Sequence, residues 1–156
     1  MNKRRTRDKK GRFSKEYRKK QLLHILKKLS KDLNKTPTKK DMNENLLIFQ
    51  HDPDVLASEA VDYFNEHFNC AQSAFAPFAD RLGLDLNLAF RIATPFGGGM
   101  GHAGQTCGAV SGALMAIGLA RGITVYDQIK KYACYDLAKR FQQRFLKSHG
   151  ALTCPG

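Results

Sequence analysis

Four cysteines carry the chemistry that this sequence supports: Cys70, Cys107, Cys134 and Cys154. Their separations of 37, 27 and 20 positions contain no Cys-x-x-Cys pair and match no zinc-finger spacing, so spacing alone names no ligand set. Position singles out two of them. Cys70 and Cys107 each open a run of helical periodicity, and the positive end of a helix dipole stabilises a thiolate and lowers its pKa. Two such thiolates suit a metal, an iron–sulfur cluster or a redox disulfide. Cys154 lies beyond Gly150 and has no helical reason for its place. Cys134, between Ala133 and Tyr135, falls mid-helix and reads as a small buried hydrophobe. His102 is a further candidate ligand, with a solvated loop histidine as the plainer reading.

Directly before Cys107 runs Gly97-Gly98-Gly99-Met100-Gly101-His102-Ala103-Gly104. Gly99, Gly101 and Gly104 formally satisfy G-x-G-x-x-G, but a dinucleotide site needs a strand before it and an acidic residue after a second strand. Residues 89–93 read as helix, no second strand follows, and no Gly-Lys-Ser/Thr marks a P-loop. A more economical reading takes Gly97, Gly98, Gly99, Gly101 and Gly104 as residues without Cβ whose N–H groups converge into an anion-binding concavity beside Cys107. No nucleophile–base pair or carboxylate dyad accompanies the cysteines.

The elements that hold these residues read as helices throughout, so the expected class is all-α: a small helical module with a glycine-rich loop, preceded by a basic helix-turn-helix-like segment. Asp54 starts a helix with Val55, Ala57, Val61, Phe64 and Phe68 inward. Cys70 opens a second helix, with Ala71, Ala74, Phe75, Phe78 and Leu82 inward, ending at Gly83. A short helix spans residues 86–94. The run from Cys107 to Ala120 is a helix of small and apolar residues stopped by Gly122. Thr124 and Asp127 stand in capping positions for a last helix whose inner face is Ile129, Tyr132, Ala133, Leu137, Phe141 and Phe145.

Charge divides the chain. Residues 1–40 hold 17 Lys/Arg against 3 Asp/Glu, whereas residues 41–156 hold 9 against 11. The first 45 residues therefore read as a basic arm followed by a helix with Leu22, Leu23, Ile25, Leu26, Leu29 and Leu33 on one face, a Thr36-Pro37-Thr38 turn and a second helix start. That charge in so short a segment is the footprint of a phosphate-backbone binder. Arg4, Arg5, Arg7, Lys9, Lys10, Arg12, Lys39 and Lys40 are the candidate contacts. Residues 46–53 read as a linker, and residues 54–156 as the cysteine module. The longest apolar stretch, Gly108 to Ala120, has 13 residues, against the roughly 20 that span a bilayer. No membrane role follows. Arg4-Arg5 is not followed by the apolar run of a signal peptide, so a cytoplasmic, reducing setting is expected, where cysteines serve metal or redox chemistry.

Two resemblances add to this reading. The segments 9–13, 22–29 and 34–41 resemble the first half of a homing-endonuclease-associated repeat, a small helical DNA-binding unit. Phe64-Asn65-Glu66-His67-Phe68-Asn69-Cys70-Ala71-Gln72-Ser73, then Phe96-Gly97-Gly98-Gly99-Met100-Gly101, then residues 106–119 from Thr106-Cys107-Gly108 onward resemble the C_GCAxxG_C_C family, helical proteins taken to be redox-active. Phe141, Phe145 and Cys154 continue that similarity. The resemblance implies an iron–sulfur or similar centre held by four cysteines, of which Cys70, Cys107 and Cys154 match the first three. The resemblance puts the fourth cysteine further on than Cys154: either that final segment is missing here, or Cys134, His102 or a partner chain completes the set. The leading expectation is a redox protein holding a metal, a cluster or a dithiol, with a redox partner protein and a homo-oligomer as candidate associations. The alternative is a DNA-binding protein with a cysteine-based redox- or metal-sensing module.

Overall fold

The computed structural model describes residues 52–154 and, nearer the N-terminus, Glu16, Lys19, Lys20, Leu22, Leu23, His24, Leu26 and Lys27. Within residues 52–154, five helices form the body: α1 (Pro53–Asn65), α2 (Cys70–Arg81), α3 (Leu86–Ala93), α4 (Gly108–Arg121) and α5 (Gln128–His149). Between α3 and α4 lie a single 3-10 turn, Thr94–Phe96, and a tight turn, Gly97–Met100. The described residues contain no strand, only an isolated antiparallel bridge between Thr106 and Thr153. The all-α expectation holds, and no helix among the described residues is long and apolar enough to cross a membrane.

Helix starts follow their side chains. Asp52 caps α1 through the Asp54 N–H, with Pro53 at the first helical position, where its missing N–H costs nothing. Asp85 caps α3 and Asp127 caps α5, each accepting from the N–H three residues on. The exits are looser. α5 ends on Gly150 at φ 82, the left-handed conformation that favours glycine there.

α2 is the centre. Eight of its 12 residues are buried, because α1, α3 and α4 all pack around it. Its closest neighbour is α4, and the reason is steric. A Cβ on Gly112 would run into the Ala71 carbonyl oxygen and lie 2.9 Å from the Ala74 Cβ. One on Gly108 would lie 3.0 Å from the Ala71 nitrogen. Small residues on both faces let the two backbones approach. At the far end, Arg81 donates from both terminal nitrogens to Glu59 of α1, 2.6 Å each, a fork that ties α1 to α2.

The last helix departs from expectation. Leu137, Phe141 and Phe145 are buried as read, but Ile129, Tyr132 and Ala133 are exposed. The covered face of α5 runs through Cys134, Leu137, Phe141 and Phe145, and Ile129 and Tyr132 lie off it, towards solvent. Val55 of α1, read as inward, is also exposed, and Leu56 and Ala60 take the inner positions.

The described residues of the N-terminal segment are helical. Leu22 and Leu26 are buried in the same core cluster as α1, α2, α4 and α5. Lys27 pairs with Asp54 at 2.7 Å, and the rings of His24 and His149 lie 5.9 Å apart. Arg4, Arg5, Arg7, Lys9, Lys10, Arg12, Lys39 and Lys40 lie outside the described residues, as do the second half of the expected helix-turn-helix-like segment and linker residues 46–51.

Candidate functional site

Cys70 is placed by its neighbours on either side. Asn69 caps α2 by accepting from the N–H groups of Ala71 and Gln72, and the Gln72 side chain accepts from the Asn69 N–H. This reciprocal box fixes the first turn. The same two side chains reach outward. Asn69 donates to the Thr94 carbonyl at 2.9 Å, and Gln72 donates to the Phe90 carbonyl and the Thr94 hydroxyl. A Cβ on Gly97 would collide with the Asn69 side chain at 2.7 Å. The Cys70 turn is thereby joined to the end of α3 and to the glycine turn.

Cys107 is the N-cap of α4 rather than its first helical residue. Its backbone N–H donates to the Leu152 carbonyl at 2.8 Å, and the Cys154 N–H donates to the Gln105 carbonyl at 2.7 Å. These bonds flank the Thr106–Thr153 pair. Cys107 and Cys154 therefore each stand one residue beyond the bridge, and alternation along an extended chain puts their side chains on the same side. Cys154 fits there because Gly99 has no Cβ: one built at that position would lie 2.7 Å from the Cys154 Cβ. Gly99 also sits at φ 74, a conformation open to glycine at no steric cost. A Cβ on Gly108 would meet that of Cys70 at 3.2 Å, which puts Cys70 against the residue after Cys107. Three of the four cysteines thus converge around Gly99 and Gly108. Cys134 sits on a different element, in the second turn of α5, partly buried against the core.

All four side chains are thiols of intermediate exposure. The expectation that the start of a helix lowers the Cys107 pKa is overturned. Burial pushes this thiol up from 9.0, the N–H groups of Ala109 and Val110 pull it down only in part, and the nearby Cys154 adds to the rise. Desolvation of a thiolate outweighs two oriented amides. Burial also pushes the Cys134 thiol up.

The glycine turn serves close packing. The N–H groups of Gly101 and His102 both donate to the Gly97 carbonyl, and those of Ala103, Gly104 and Gln105 donate to carbonyls of residues 98–100. Met100 and His102 join four of these glycines at positive φ. His102 is exposed, and its ring lies over Gly98, where a Cβ would be 2.5 Å from Nδ1.

Among the described residues, no three His, Cys, Asp or Glu side chains are placed to hold a metal ion. Sequence reasoning missed the supports: the Asn69–Gln72 box, Thr94, and the bridge that brings Cys154 in. The first was legible as an Asn-x-x-Gln spacing before an apolar run. A single-residue bridge leaves no strand pattern to read.

Compared with known proteins, the family model described as "Putative redox-active protein (C_GCAxxG_C_C)" matches residues 68–156. No curated protein and no solved structure matches the chain.

Proposed function

The chain belongs to the C_GCAxxG_C_C family of proteins described as redox-active, and from that membership we propose that it is a thiol–disulfide redox protein working through Cys107 and Cys154, with Cys70 beside them. The observation that carries this reading is the bridge: hydrogen bonds on both sides of Thr106 and Thr153 hold the two cysteines on one side of a two-chain ladder. Diagonal neighbours on such a ladder lie about 7–8 Å apart, with their Cβ atoms somewhat closer, and disulfide-bonded Cβ atoms lie about 3.5–4.5 Å apart. Closure asks the tail to move by roughly 2–3 Å, which a single bridge permits.

The substrate is a disulfide on a partner protein. One thiolate of the pair attacks a sulfur of that disulfide, forming a mixed disulfide and releasing the other partner sulfur as a thiolate. The second cysteine's thiolate then attacks the first cysteine's sulfur, closing Cys107–Cys154 and releasing the partner's remaining sulfur. The two protons lost by the cysteines end on the two partner thiols, so the partner is reduced by two electrons and this chain is oxidised by two. Because burial holds Cys107 in its protonated form, the exchange should quicken as pH rises towards and past 9.

The test uses oxidised glutathione as the disulfide, followed by peptide mapping without reductant. A Cys107–Cys154 linked peptide and the loss of two hydrogens from the protein are expected, with Cys134 still alkylatable. Stoichiometric iron and sulfide in an anaerobic preparation, or a disulfide that excludes Cys107, would overturn the dithiol reading.

A further inference from the structure

Outside the N-terminal segment, positive charge collects on one helix. Residues 52–127 carry three Lys/Arg against eight Asp/Glu, whereas α5 alone carries six against Asp136. The same helix shows the largest exposed apolar side chains of the described structure: Tyr126 just before it is 76% exposed, Ile129 83%, Tyr132 57% and Tyr135 55%. Ile129, Tyr132, Tyr135 and Lys139 follow at three- and four-residue steps and so share a face. The rings of Tyr132 and Tyr135 lie 5.9 Å apart, edge to face, and the Lys131 ammonium stands 5.7 Å from the Tyr135 ring centre. Lys139, Arg140, Arg144 and Lys147 are exposed along the second half. The N-terminal helix, with Lys20 exposed, meets the end of α5 at His149.

We propose that this face of α5 binds single-stranded nucleic acid. The match is chemical: a single strand offers anionic phosphates and unpaired base faces at short intervals, and α5 offers ammonium and guanidinium groups beside exposed tyrosine rings. Stacking on aromatic side chains, alongside cations that follow the backbone, is how such strands are held without sequence reading. A second copy of this chain is the poorer fit, because pairing α5 with itself would bring two strongly cationic helices together. The proposal is independent of the thiol chemistry.

The experiment measures fluorescence anisotropy of a labelled single-stranded oligonucleotide with the full chain, in which every N-terminal cation is retained. The arms are its duplex form, heparin, and vesicles containing phosphatidylserine. Tyr132→Ala with Tyr135→Ala should weaken single-strand binding by roughly tenfold or more, with heparin binding unchanged. Lys139→Glu with Arg140→Glu should weaken both ligands and reduce the salt dependence. All four side chains are exposed, so thermal melting and Cys107–Cys154 closure should match the parent. Single-strand binding that is indifferent to the tyrosines, tighter binding to the duplex, binding confined to vesicles, or a tyrosine variant that changes sedimentation instead of affinity would each overturn the proposal.

Discussion

The contact between α2 and α4 and the outer face of α5 are opposite uses of apolar sequence. At the first, Ala71 and Ala74 meet Gly108 and Gly112, and the absence of side-chain atoms sets the distance. At the second, Ile129 and Tyr132 stand in solvent with the same three-residue periodicity that marks a core face. Periodicity identifies which residues share a side of a helix. Whether a partner covers that side depends on the rest of the chain. The comparison also separates two kinds of tolerance: the first contact has no room for an added carbon, and the second has room for almost any change.

The sharpest break of that contrast lies within one helix. Gly112→Ala puts a methyl against the Ala71 carbonyl, a backbone atom that moves only if α2 does. Loss of about 1–3 kcal/mol or more is expected, read from denaturant unfolding. Gly118→Ala in the same helix meets nothing within 4 Å and should stabilise by up to about 1 kcal/mol through helix propensity. Equal effects of the two would dissolve the distinction.

Next in size, Asn69→Ala removes the cap of α2 together with its bond to Thr94. A cost of about 1–2 kcal/mol follows, with faster alkylation of Cys70 as its turn loosens. Unchanged Cys70 reactivity would mean that the box does not position the thiol.

A weaker effect comes from pH. Burial pushes Cys107 and Cys134 up, and Tyr63 is raised by burial and by Glu59. Each folded-state pKa exceeds its unfolded value, so the native state holds these protons more tightly. That stability is complete below about pH 9 and is lost as pH rises through the folded values. Melting temperature should fall from about pH 9 upward, and Cys107→Ser should flatten part of the decline. Smallest of all, Ile129→Ser should change stability by less than about 0.5 kcal/mol, where Leu137→Ser in the same helix unfolds far more.

Much of this was legible in the residues. Asp127 marks the start of α5 and Gly150 its end because capping is local, and Cys70 and Cys107 stand at helix starts as spacing predicts. The burial that raises the Cys107 pKa was not legible, because it comes from packing by segments distant in the chain. The convergence of Cys154 with Cys107 depends on one bridge, and the exposure of Ile129 and Tyr132 on which face of α5 the body covers. These are tertiary outcomes with no local signature.

The Thr106–Thr153 bridge has a topological consequence. Joining Cys107 to Cys154 encloses α4 and α5 in one covalent ring, since both helices lie between the two cysteines. A single backbone cut in the exposed segment 124–126 would then open the ring without releasing a fragment. In the reduced chain the same cut yields two pieces that denaturant separates. The thiol state of two side chains would thus decide whether a nicked molecule survives unfolding as one covalent body.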